Sequence, residues 1–154
     1  MPPNLIFIPV DFNKETVSDV LALKGFEKDK TTLFLMEGLT MYLDSEAIEE
    51  TFNLISECAK KGSEVLFDFI YASVIRRENL YYGENELFKR VEKFKEQWPF
   101  GIEKDGIKDF LEKYHFKLKE QFKSEELEQR YFTNNAGEKI GRVNGTFCLV
   151  LAEK

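Results

Sequence analysis

The stretch TLFLMEGLTMYLDSEAIEETFNLISECAKKGSEVLFDF, residues 32–69, decides the fold. Thr32–Met36 is a short apolar run stopped by Glu37-Gly38, and Glu64–Phe69 is another, so each reads as a strand of a parallel sheet. Between them the spacing predicts a helix. Asp44 is a good N-cap, with Leu43 before it and Ile48 placed to close a hydrophobic staple. Ile48, Phe52, Ile55 and Ala59 keep a helical period, Lys60 and Lys61 suit the negative end, and Gly62 is the expected C-cap.

Toward the N-terminus the alternation continues. Leu5–Val10 is an apolar run ended by Asp11-Phe12-Asn13, and Asn13 can cap a helix whose Val17, Val20 and Leu21 share one face. Gly25 ends that helix as a C-cap. The first 70 residues thus read strand, helix, strand, helix, strand, the order of a parallel α/β sheet. Further on, Ile70 to Trp98 reads as helical and aromatic with a break at Gly83. Ile107, Phe110, Leu111 and Tyr114 make another apolar stripe, and Phe116, Leu118 and Phe122 alternate with polar residues as a half-exposed strand does. A short helix capped by Ser124, a turn at Asn134–Gly137 and a last strand over Gly145–Ala152 complete a single domain spanning residues 1–154.

Composition narrows the function. Lys+Arg 22 against Asp+Glu 28 gives a net charge of -6, which disfavours nucleic acid and anionic membrane as partners. The longest apolar runs are strand-sized, and no signal peptide is evident, so a cytoplasmic location is expected. Two cysteines, Cys58 and Cys148, make neither a disulfide framework nor a metal cluster, and one histidine, His115, leaves little for a zinc site or a hydrolytic triad.

In an open parallel sheet, ligands bind beyond the carboxyl ends of the strands. Asp11 and Glu37 each follow a predicted strand, where a carboxylate can accept strong hydrogen bonds from an amine or hydroxyl. Gly38 would let a ligand approach the backbone closely. Capping a turn or a helix is the alternative role for both acids. Asp68 either faces the same rim or pairs with Arg76 or Arg77, the second reading being favoured. His115 reads as an exposed turn residue, and Tyr71, Tyr81 and Tyr82 as core or lid packing.

Ile8-Pro9-Val10-Asp11-Phe12, Gly25-Phe26, Thr32–Leu43 with its block EGLTMYL, Lys61-Gly62-Ser63 and Trp98-Pro99-Phe100-Gly101 together resemble the leucine carboxyl methyltransferase family. The resemblance implies a Rossmann-like class I methyltransferase sheet, mostly parallel with an antiparallel C-terminal strand pair. It also implies S-adenosyl-L-methionine as cofactor, and methyl transfer to a carboxylate or hydroxyl of a small molecule or protein C-terminus. Asp11 and Phe12 match the family's adenine-holding pair, and Glu37, with Gly38 beside it, matches the acid reaching the methionyl end. Met41 and Tyr42 would line the path to the acceptor, with Tyr42 as the candidate catalytic residue; no metal is implied. The family's cofactor glycine loop and ribose acid have no counterpart, so a truncated sheet is expected. A homodimer or a partner supplying the missing half would then close the sheet, and the chain alone is expected to bind cofactor weakly or not at all, with activity requiring the missing half. The alternative is a catalytically inactive remnant serving as a structural or binding α/β module.

Overall fold

The computed structural model describes residues 4–9, 21 and 25–154. Among these, a four-stranded sheet carries five helices. Strand β1 (Leu33–Met36) leads through a 3-10 turn at Thr40–Tyr42 into helix α1 (Ser45–Cys58) and strand β2 (Glu64–Ile70). Helices α2 (Ala72–Ile75), α3 (Glu84–Phe94) and α4 (Ile107–Lys113) follow, then β3 (Lys117–Phe122), α5 (Ser124–Tyr131) and β4 (Phe147–Glu153). The strand order is β1-β2-β4-β3. β1 pairs parallel to β2, while β4 lies antiparallel to both β2 and β3. Three strands therefore run one way, with β4 reversed between two of them. The mixed α/β class and the antiparallel C-terminal pair are as expected.

Burial alternates along β4 and along β2 as far as Phe69, and this decides where the core sits. Val65, Phe67, Phe69, Cys148, Val150 and Ala152 face α1 and α4 and are essentially inaccessible. Phe52 of α1 meets Phe67 with ring centroids at 5.1 Å and Phe110 of α4 at 4.8 Å, both edge-on. Edge-on packing of this kind adds about 0.5–1.5 kcal/mol per pair beyond simple burial. Asp44 caps α1 as expected, its carboxylate accepting the Ala47 N–H at 2.9 Å.

The other face carries Leu33, Leu35, Leu66, Leu149 and Leu151, which stay outside the main core cluster. Leu33 and Leu35 are 58% and 62% exposed.

Several expectations need correction. Leu5–Pro9 forms no strand, and Leu5, Ile6 and Phe7 are exposed, so this run neither moves in beside β1 nor joins the sheet. Val10 and the helix expected from Asn13 lie outside the described residues except at Leu21. There the Phe26 N–H donates to the Leu21 carbonyl across Gly25 (φ +81°), the bond of a helix C-cap. Gly62 is left-handed (φ +85°), but α1 already ends at Cys58. Gly62 instead serves the turn closed by the Ser63 N–H on the Lys60 carbonyl. The N-cap of α5 is Lys123 rather than Ser124, because the Glu126 carboxylate reaches back to the Lys123 N–H.

Candidate functional site

Parallel pairing places Met36 level with Phe67, so the chain leaving β1 passes beside Asp68. Two hydrogen bonds fix it there. The Gly38 N–H donates to Asp68 Oδ1 at 2.8 Å, and Thr40 Oγ1 donates to the Asp68 backbone carbonyl at 2.6 Å. Gly38 has φ +61°, a conformation that favours glycine, and a Cβ there would meet nothing within 4 Å. The backbone at this point is open to a ligand. Glu37 is exposed at the carboxyl end of β1, where the sheet argument places a binding acid.

Asp68 resolves differently from the favoured reading. Arg76 is held by Glu78 and Glu103, and Arg77 by Glu92. Asp68 instead braces the Glu37–Gly38 turn. Burial pushes its carboxyl above the ordinary carboxylate range; the Gly38 N–H opposes that shift and the neighbouring Glu37 charge adds to it.

Tyr42 ends the 3-10 turn and is 47% exposed. Its hydroxyl donates to Glu96 Oε2 at 2.9 Å, and the Trp98 indole N–H donates to the same oxygen at 3.2 Å. The two rings meet edge-on with centroids at 6.0 Å, and Trp98 continues to Phe147, also at 6.0 Å. The bond to Glu96 raises the phenol's pKa above its ordinary value, so Tyr42 stays protonated and acts as a donor. Met41, expected along the acceptor path, is instead 3% exposed in the core. Asp11 and Phe12 lie outside the described residues.

Glu96 is the residue that sequence reasoning missed, and Trp98 entered there through the aromatic segment ending at it and the Trp98-Pro99-Phe100-Gly101 resemblance. Tyr71 and Tyr81 stack at 4.7 Å with Tyr71 buried, which is core packing. His115 is exposed as expected. Among the described residues no group of acidic, histidine or cysteine side chains could hold a metal, and Cys58 and Cys148 are buried free thiols.

Residues 1–56 match the leucine carboxyl methyltransferase family. The matched span contains Asp11, Phe12, Glu37, Gly38 and Tyr42. No curated protein matches the chain.

Among solved structures, a S-adenosylmethionine-dependent methyltransferase of Methanosarcina mazei aligns at TM-score 0.45 and 11% identity, covering 79% of this chain and 58% of that one. One from Thermotoga maritima aligns at 0.47 and 17%, covering 79% and 55%. The magnesium protoporphyrin IX methyltransferase of Synechocystis aligns at 0.44 and 8%, covering 88% and 56%. The chain thus spans little more than half the length of these three. With every score under 0.5, the family match and the geometry above carry the reading that follows. No helix among the described residues is long and apolar enough to cross a membrane.

Proposed function

We propose that the chain serves S-adenosyl-L-methionine-dependent methyl transfer to an oxygen acceptor, a carboxylate or hydroxyl. The observation that carries this is the family match over residues 1–56 combined with the braced Glu37-Gly38 turn at the end of β1. The residues fit the cofactor's chemistry. A sulfonium is a cation, and Glu37 offers an exposed carboxylate beside a backbone with room for close approach. Asp11 and Phe12, by resemblance, would take the adenine end.

Bound S-adenosylmethionine supplies an electrophilic methyl group, so no nucleophilic side chain is required. The protein's share is proximity and orientation. Glu37 holds the cationic end, Asp68 and Thr40 keep the Glu37 turn in register with β2, and Tyr42 presents its ring toward the acceptor side.

Calorimetric titration of the purified chain with S-adenosylmethionine tests this. A charge-assisted hydrogen bond is worth about 1.5–3 kcal/mol, so Glu37→Ala and Asp11→Ala should each weaken binding by roughly tenfold or more. Affinity unchanged in both variants overturns the assignment.

The second reading is a structural or binding α/β module without turnover. Among the described residues one edge of β1 has no neighbour, and Leu33 and Leu35 are exposed; both favour it, since such an edge accepts a strand from a second copy or a partner chain. Complete absence of S-adenosylmethionine binding by the folded chain would leave this reading standing.

A further inference from the structure

Glu96 lies in the loop after α3, far in sequence from Tyr42, yet the side-chain donors that reach it are both aromatic: Tyr42 from the turn after β1, and Trp98 two residues further along the same loop. Tyr42 and Trp98 donate to one and the same oxygen, Oε2. Two donors on one oxygen fix the direction in which the carboxylate points. They also turn the three rings of Tyr42, Trp98 and Phe147 into a continuous wall, each contact tilted well away from stacking at 85° and 66°. None of the three rings is fully buried.

Charges of both signs lie close to Glu96 along the chain, Lys93 and Lys95 among them. Glu37 and Asp68 stand at the adjoining strand ends, while Arg76 and Arg77 beyond β2 are already engaged by Glu78, Glu103 and Glu92. A carboxylate set against partly exposed aromatic rings attracts a cation through both its charge and the ring quadrupoles, and repels an anion.

We infer that Glu96, with Tyr42, Trp98 and Phe147, forms the acceptor subsite and selects an acceptor that carries a protonated amine. The inference rests on the methyltransferase reading for the word acceptor; the cation site itself stands on the geometry. Within that reading, it selects a hydroxyl acceptor with an ammonium group over a carboxylate acceptor, because the Glu96 carboxylate repels a second carboxylate. Tyr42, held as a donor by Glu96, orients the ring wall rather than removing a proton.

Trp98 is the only tryptophan in the chain, so its fluorescence reports on this site alone. The folded 154-residue chain is titrated with phenethylammonium and, separately, with phenylacetate, two probes of similar shape and opposite charge. Phenethylammonium is expected to perturb Trp98 saturably, with an affinity at least about tenfold above that of phenylacetate. Glu96→Gln should remove most of that preference, whereas Tyr42→Phe, which keeps the ring, should retain the larger part of it.

Equal affinities for the two probes in the wild-type chain overturn the proposal without recourse to any variant. So does an undiminished preference in Glu96→Gln. Calorimetry with S-adenosylmethionine is run alongside. Cation selectivity without cofactor binding would leave the cation site standing apart from the methyltransferase reading, and cofactor binding without selectivity would reject the cation site alone.

Discussion

Replacing Asp68 separates what its oxygen does from what its charge does. Its Oδ1 accepts the Gly38 N–H at 2.8 Å, while the Thr40 hydroxyl bonds to the Asp68 main chain and survives any substitution. Asp68→Ala removes one hydrogen bond whose donor is near solvent, a loss of about 1 kcal/mol, or roughly 2–4 °C in Tm for a domain of this size. Asp68→Asn keeps an oxygen in place and removes a charge that burial disfavours.

The sign of the pH effect follows from the raised pKa. The native state holds the Asp68 proton more tightly than the unfolded chain does, so protonation favours folding. That contribution is complete below the ordinary value of 3.8 and is lost as pH rises through the higher native value. Asn has no such loss. The Tm difference between Asp68→Asn and wild type should therefore shift in favour of Asn between about pH 4 and pH 7, other groups cancelling in the comparison. Thermal melts of the three proteins at the two pH values decide it. A constant difference, or Asn no better than Ala at neutral pH, would refute the division of roles.

Other consequences are simpler to test. His115 has φ +62° at the end of α4, where the Phe116 N–H bonds the Leu111 carbonyl; His115→Gly should raise stability by about 0.5–1 kcal/mol in a denaturant melt. Gly62→Val should lower it by about 1–3 kcal/mol, because φ +85° strains a β-branched residue even in open space, and the reverse order of the two variants would contradict both readings. Glu84, 2% exposed, accepts the N–H groups of Asn79, Leu80 and Tyr81; Glu84→Ala should cost about 3 kcal/mol, read as a fall in urea midpoint.

What the sequence made legible was local. The Asp44 cap, the Ile48-Phe52-Ile55 face and the Gly25 cap depend on neighbours within a turn or two, and each is present. Gly62 and Ser124 were placed at the right spots but given the wrong duty, since an αL glycine serves a turn as well as a helix end and Glu126 can satisfy the N-terminus without a serine. Leu5–Phe7 shows a further limit: an apolar run states what would gain from burial, not whether a neighbour exists to bury it. Glu96 was invisible because its partner Tyr42 is 54 residues away, and an isolated glutamate in a charged loop carries no pattern. The Asp68 brace, spanning 30 residues, was hidden for the same reason.

The position of β1 explains why that brace matters. Among the described residues β1 is an edge strand, held in the sheet by β2 alone. An edge strand of four residues has few ladder hydrogen bonds to hold the segment that follows it. The Glu37-Gly38 turn therefore has its register set from one side, through Asp68 Oδ1 and the Asp68 carbonyl. From the same turn the chain enters Thr40–Tyr42, so any slip at Gly38 moves Tyr42 against Glu96 and opens the ring wall. Glu37 and the aromatic wall are thus mechanically one unit, anchored on β2. A substitution at Asp68 should consequently disturb Trp98 fluorescence although the two residues make no hydrogen bond to each other, with Ala shifting it and Asn leaving it near wild type. Indistinguishable Trp98 spectra for Asp68→Ala and wild type would show that the turn and the ring wall are held independently.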